Sequence, residues 1–201
     1  MKDWSGNSRT TFVTLGASNH TDKEREENDY YATDPIAIDV LLKDECAVLN
    51  HDIWECACGA GDLSKRLEEY GYNVKSTDLI DRGYGQGGID FLKCQDKWHG
   101  DILTNPPYKY AQEFVEHGLE LIEDGNSVWM FLKLQFLEGQ KRRQLFDTGQ
   151  LKYIFVSTKR ILCAKNGEFD YMREHGGSAV AYAWYQFVKG YKDNAVVRWI
   201  N

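Results

Sequence analysis

The sequence predicts an α/β fold built on a parallel sheet. Strand-like and helical patterns alternate through its middle, a glycine-rich turn sits where the first apolar strand passes into a helix, and β-branched and aromatic residues crowd the C-terminal third. Alternation of this kind means right-handed crossovers between parallel strands. A length of 201 residues with 42% hydrophobic content suits one domain with a sizeable core.

Residues 1–28 are polar and end in the run Asp22-Lys23-Glu24-Arg25-Glu26-Glu27, the composition of a mobile arm. Order is expected from Tyr30-Tyr31, because Thr33-Asp34-Pro35 offers a side-chain cap and a proline at a first helical position, ahead of Ile36, Ile38, Val40, Leu41 and Leu42. Residues 53–57 read as a buried strand, 63–70 as a helix and 73–77 as the next strand. Leu103 closes a further strand, and Phe114, Val115, Leu119 and Ile122 mark the apolar side of a helix over residues 111–122. Residues 127–136 form a long buried strand, 141–146 a helix and 151–156 a strand. Residues 179–188 read as another strand, and Gly190 leads to a short extended piece at residues 196–200. The polar, Gly-flanked segment at residues 163–177 reads as a long loop, which in a compact domain is usually functional or disordered. There is no internal repeat or linker, so residues 29–201 are expected to form a single domain.

Composition narrows the function classes. No apolar run reaches the length of a membrane-spanning helix, the N-terminus lacks a signal peptide's apolar stretch, and the five cysteines lack disulfide-framework spacing, so the expected compartment is the cytoplasm with reduced thiols. The net charge of −7 argues against indiscriminate coating of nucleic acid. It is unevenly spread: residues 1–125 carry 12 Lys and Arg against 25 Asp and Glu, whereas residues 126–201 carry 12 against 6. Lys141, Arg142, Arg143, Lys159, Arg160, Lys165 and Arg173 are therefore candidates for neutralising phosphates.

Two motifs carry chemistry. Asn105-Pro106-Pro107-Tyr108 ends the run Asp101-Ile102-Leu103-Thr104: the amide oxygen of Asn105 can accept from a planar NH2 group, the prolines fix φ and remove competing donors, and Tyr108 offers a stacking face. Upstream, Glu55-Cys56-Ala57-Cys58-Gly59-Ala60-Gly61-Asp62-Leu63 turns a strand into a helix. Its glycines let backbone approach a ligand, but the missing third glycine disfavours a dinucleotide. Glu55 suits a ligand bearing an ammonium and a sulfonium, and Asp78, ending the next strand, could take both hydroxyls of a ribose. Cys56 and Cys58 lack a second pair or a nearby His, so no metal site is expected.

The Glu-x-x-x-Gly-x-Gly turn, the acidic strand end and the Asn-Pro-Pro-Tyr string, in that order, resemble the S-adenosylmethionine-dependent class I methyltransferases that act on amino nitrogens. From about residue 28 onward the chain is similar to the small N6-adenine DNA methyltransferases of bacteriophages and prophages, a likeness shared by the stretch from Phe136 through Leu137-Glu138-Gly139-Gln140 to Arg142 and by Ala183-Trp184-Tyr185. The resemblance implies a Rossmann-like sheet with an antiparallel C-terminal strand and helices on both faces. It implies S-adenosyl-L-methionine held by Tyr31, Thr33, Glu55, Cys56, Gly59, Gly61, Asp78, Asp90 and Phe91, with catalysis at Asn105, Pro106, Pro107 and Tyr108 and DNA as partner in a bacterial or phage-infected cell. No separate target-recognition domain is expected. The same tetrapeptide occurs in enzymes that methylate protein glutamine and in some that methylate RNA adenine; DNA cytosine N4 methylation and an idle binding module of the same fold are further alternatives.

Overall fold

The computed structural model describes residues 31–165, 167, 169–175 and 178–201. The expected arm at residues 1–28 lies outside them.

The first half of the chain builds the parallel sheet. β2 (Asp52–Glu55) leads into α2 (Asp62–Glu69) and β3 (Asn73–Ser76); β4 (Asp101–Thr104) leads into α3 (Ala111–Leu121) and β5 (Ser127–Lys133). β2 pairs in parallel with both β3 and β4, and β4 with β5. The second half supplies β6 (Leu151–Ser157), β8 (Tyr182–Val188) and β9 (Val196–Ile200), completing a seven-stranded sheet in the order β3-β2-β4-β5-β8-β6-β9. β8 runs antiparallel to β5 and β6, as expected for the C-terminal strand, whereas the terminal piece is a true edge strand parallel to β6.

Alternation within each strand splits the core in two. Ile53, Leu103, Trp129, Phe131 and Trp184 face α2 and α1 (Ile36–Leu42), where Ile38, Leu41, Leu63 and Leu67 are buried. Trp54, Ile102, Val128, Met130 and Tyr185 face α3 and α4 (Arg143–Asp147), where Phe114, Val115, Leu119 and Leu145 are buried. Helices therefore cover both faces. At the N-terminal end of β4, the buried Asp101 carboxylate joins this core to its loops: it accepts from the backbone N–H groups of Asn50 (3.0 Å) and Ser127 (2.8 Å) and from Trp129 Nε1 (2.9 Å).

Some elements differ from the sequence expectation. The strand expected to run to Phe136 stops at Lys133 and turns through a 3-10 segment at Leu134–Leu137; Phe136 is buried there against Phe146 and Tyr185, so the apolar run continued for burial and not for pairing. The expected helix at residues 141–146 opens with a 3-10 turn at Gln140–Arg142. The segment read as a loop contains β7 (Cys163–Lys165) and α5 (Phe169–Glu174). β7 pairs antiparallel with β1 (Tyr31–Thr33), setting Thr33 opposite Cys163, a partnership across some 130 positions that local pattern could not reveal. The expected side-chain cap of α1 comes from Asp34, which accepts from Ile36 N (3.2 Å), but Pro35 is the N-cap residue and not the first helical one.

Asp101→Ala should leave three donors without a partner. At about 1–3 kcal/mol for each unsatisfied buried group, chemical denaturation should show a loss of several kcal/mol. A loss below about 1 kcal/mol would mean that water replaces the carboxylate.

Candidate functional site

Two neighbouring parallel strands, β2 and β4, end side by side, with Trp54 opposite Ile102, and their outgoing loops carry the two motifs. β2 feeds a connection to β3 on one side while β4 continues on the other. This is the switch point at which open α/β sheets bind ligands.

On the β2 side, Gly59 and Gly61 have positive φ (56° and 84°), so a left-handed backbone carries the turn into α2. Gly59 N donates to Asp78 Oδ2 (2.8 Å) and Ile80 N to Asp78 Oδ1 (2.8 Å), fixing the half-buried carboxylate beside the turn. Tyr84, which sequence reading missed, lies against Gly61: a Cβ there would come within 2.3 Å of its ring. Glu55 is buried, its carboxyl accepts from the Ser64 hydroxyl, and Ser64 Oγ lies 2.7 Å from Ser76 Oγ. Burial raises the Glu55 pKa to about 8, so the carboxyl is neutral at pH 7. Cys56 is buried, and Cys58 N donates to Thr77 O (3.0 Å). Asp90 accepts from Leu92 N (3.2 Å) and pairs with Lys93 (2.8 Å); Phe91 is enclosed by Trp54, Phe114 and His117.

The β4 side is organised by Asn105. Its Nδ2 donates to Thr33 Oγ1 (2.8 Å) and to the Tyr31 carbonyl (3.3 Å), with Cys163 Sγ at 4.0 Å. The β1–β7 ribbon is thus tied to the end of β4. Because the nitrogen faces acceptors, the oxygen faces away from them, and Asn105 Oδ1 is buried with no hydrogen-bond partner. Tyr108 donates to Cys163 Sγ (3.5 Å), and burial holds both its phenol and the Cys163 thiol well above their ordinary pKa, so both stay protonated. The Tyr108 ring lies 6.0 Å from that of Tyr182, and the Lys133 ammonium sits 4.8 Å above it. Tyr31 is exposed; Pro106 is buried and Pro107 accepts from Tyr110 N (2.8 Å).

The basic candidates are distributed differently. Lys141, Lys159 and Arg160 are exposed. Arg143 is exposed and pairs with Asp147 (2.6 Å). Arg142 donates to the carbonyls of Gln135, Phe136 and Glu138 and lies over the Phe136 ring, so it braces the turn after β5. Arg173 pairs with Asp34 (2.5 Å) and Asp170 (2.8 Å). All five cysteines are free, and among the described residues no cluster of three or more metal-ligating side chains forms. No helix among them is long and apolar enough to cross a membrane.

The Glu55 environment predicts a pH dependence of stability. Its folded-state pKa is raised, so its stabilising contribution is complete below pH 4.5 and is lost as pH rises to about 8. Across that window the wild-type thermal midpoint should fall more than that of Glu55→Gln, which stays neutral. Parallel curves would show that Glu55 is already ionised at pH 7.

No family model matches the chain, and no curated protein matches it. Solved structures share its fold. A methyltransferase subunit of the type I restriction-modification system of Streptococcus thermophilus superposes with a TM-score of 0.58 at 13% identity, over 83% of this chain and 46% of that one. A Listeria monocytogenes protein assigned as a class I S-adenosylmethionine-dependent methyltransferase gives 0.54 at 13% identity, over 94% and 70%. A Lactococcus lactis protein assigned as a hemolysin gives 0.56 at 11%, over 82% and 91%. Identities this low speak to architecture alone. With its mixed, mostly parallel sheet and its antiparallel β8, this chain has the fold of the class I S-adenosylmethionine-dependent methyltransferases.

Proposed function

We propose that the protein transfers a methyl group from S-adenosyl-L-methionine to the N6 amino group of adenine in DNA. The observation that carries this reading is Asn105: a carboxamide whose nitrogen is tied down and whose buried oxygen lacks a donor asks for a ligand with an N–H group. The glycine turn follows the adjacent strand β2 and Asp78 follows β3, the next strand out; the Gly59–Asp78 hydrogen bond joins the two where the ligand's sugar hydroxyls could be received. Each Asp78 oxygen accepts one backbone N–H and keeps a lone pair for a further donor. Glu55, neutral in the free protein, would ionise when an ammonium approaches. Tyr31, Thr33, Cys56, Asp90 and Phe91 complete the proposed cofactor set.

The chemistry asks little of a base. Bound S-adenosylmethionine supplies an electrophilic methyl carbon. The N6 lone pair of adenine is delocalised into its ring, so the protein must draw that nitrogen toward tetrahedral geometry. Asn105 Oδ1 and the Pro106 carbonyl would each accept one N6 hydrogen, localising the lone pair on the side facing the methyl carbon. S-adenosylmethionine held there would supply the methyl group, its sulfur keeping the bonding pair, while Asn105 and Pro106 would hold N6 in place and the surplus N6 proton would pass to solvent. A stacked base cannot reach the site, so the adenine flips out at a cost of a few kcal/mol and lands on Tyr108. Lys141, Arg143, Lys159 and Arg160 would hold flanking phosphates, with Arg142 shaping the turn that presents them.

Asn105 accepts equally from adenine, cytosine or a glutamine amide. The choice of DNA adenine rests on the resemblance of the motifs, on the basic second half of the chain and on the fold likeness to a restriction-modification methyltransferase subunit.

Asn105→Ala should lower kcat on unmethylated DNA by about 100-fold or more while leaving cofactor affinity near wild type. Asp78→Ala should instead weaken cofactor binding. Equal loss of cofactor affinity in both variants would overturn the division of roles, and label appearing on cytosine, RNA or glutamine instead of DNA adenine would overturn the substrate.

A further inference from the structure

Lys133 ends β5 with its ammonium 4.8 Å over the ring of Tyr108. Among the described residues no carboxylate pairs with it, whereas Arg142 donates to three carbonyls and Arg173 pairs with Asp34 and Asp170. A cation seated on an aromatic face without a carboxylate partner is held weakly, because cation–π attraction at a partly exposed ring is smaller than base–aromatic stacking. Immediately beyond Lys133 in the chain, Leu134, Gln135, Leu137 and Glu138 line, together with Arg160, a groove open to solvent. The groove thus starts at Leu134, the residue that follows Lys133 in sequence, and carries one further cation, Arg160, together with one carboxylate, Glu138.

We infer that Lys133 is a specificity-determining placeholder: it occupies the Tyr108 face until a flipped base displaces it, and it then pairs with the phosphate of the same strand as that strand enters the groove toward Arg160. This rests on the proposed nucleic-acid reading and goes beyond it by assigning Lys133 two successive partners. The device would favour a base attached to a phosphodiester backbone over a free nucleoside. A polymer repays the displaced ammonium with a phosphate, whereas a nucleoside evicts it and offers nothing in exchange.

The test uses the full chain, a mixed-sequence unmethylated DNA duplex and free deoxyadenosine as alternative acceptors, with wild type, Lys133→Met and Lys133→Arg. For Lys133→Met the KM for DNA should rise several-fold, and the slope of log affinity against log salt should shrink by roughly 0.9, the value for one lost phosphate contact. Lys133→Arg should restore the slope. The KM for deoxyadenosine should stay level or fall in Lys133→Met, since the ring face is then vacant. An unchanged DNA slope, or deoxyadenosine weakened as much as DNA, would overturn the inference. A wild-type protein that neither binds nor methylates DNA would remove the underlying reading, and a DNA-active wild type with an indifferent Lys133→Met would remove this one alone.

Discussion

The carboxamide of Asn105 is free to rotate in an unfolded chain, yet in the fold its nitrogen meets the Tyr31 carbonyl and the Thr33 hydroxyl, both on β1. Turning the amide over would set its oxygen against the Tyr31 carbonyl oxygen and lose that hydrogen bond, whereas the Thr33 hydroxyl could serve either end. With an unsatisfied buried group costing about 1–3 kcal/mol, that suffices to hold one orientation. The buried Oδ1 then faces away from protein donors. A short ribbon far from the motif in sequence thereby decides which end of the Asn105 carboxamide is left without a protein partner.

The sheet places that side chain next to the other half of the site. Parallel pairing of β2 with β4 brings both strand ends to one edge, so the glycine turn and the Asn105 turn emerge as neighbours although roughly 45 positions separate them. Bulky aromatic residues buried on both faces, Trp129, Trp184 and Tyr185 among them, make this a stiff platform, and Asp101 secures the opposite end of β4. The proposed reaction at the rim requires such a platform, because acceptor geometry tolerates little displacement.

Much of this was legible in the sequence. The alternation of apolar runs predicted the parallel strands, and the two motifs lie at strand ends, where local turn chemistry places them. What stayed hidden depends on contacts between distant residues. Thr33 and Cys163 pair across two strands that looked like a flanking segment and a loop; Lys133 was submerged in an apolar run; and Tyr84 shows no local sign that it will lie against Gly61. Charge was visible but its partners were not. Arg142 read as a phosphate ligand until its donors were seen on three carbonyls, and Glu55 read as a standing negative charge until burial was found to hold its proton.

The most direct test of the central claim is a crystal structure of the protein with S-adenosylhomocysteine and an adenine-containing oligonucleotide. The account predicts a flipped adenine whose N6 donates to Asn105 Oδ1 at about 3 Å, with Nδ2 still on Thr33 and Tyr31. An adenine bound elsewhere, or an Asn105 amide turned so that its nitrogen faces the base, would contradict it.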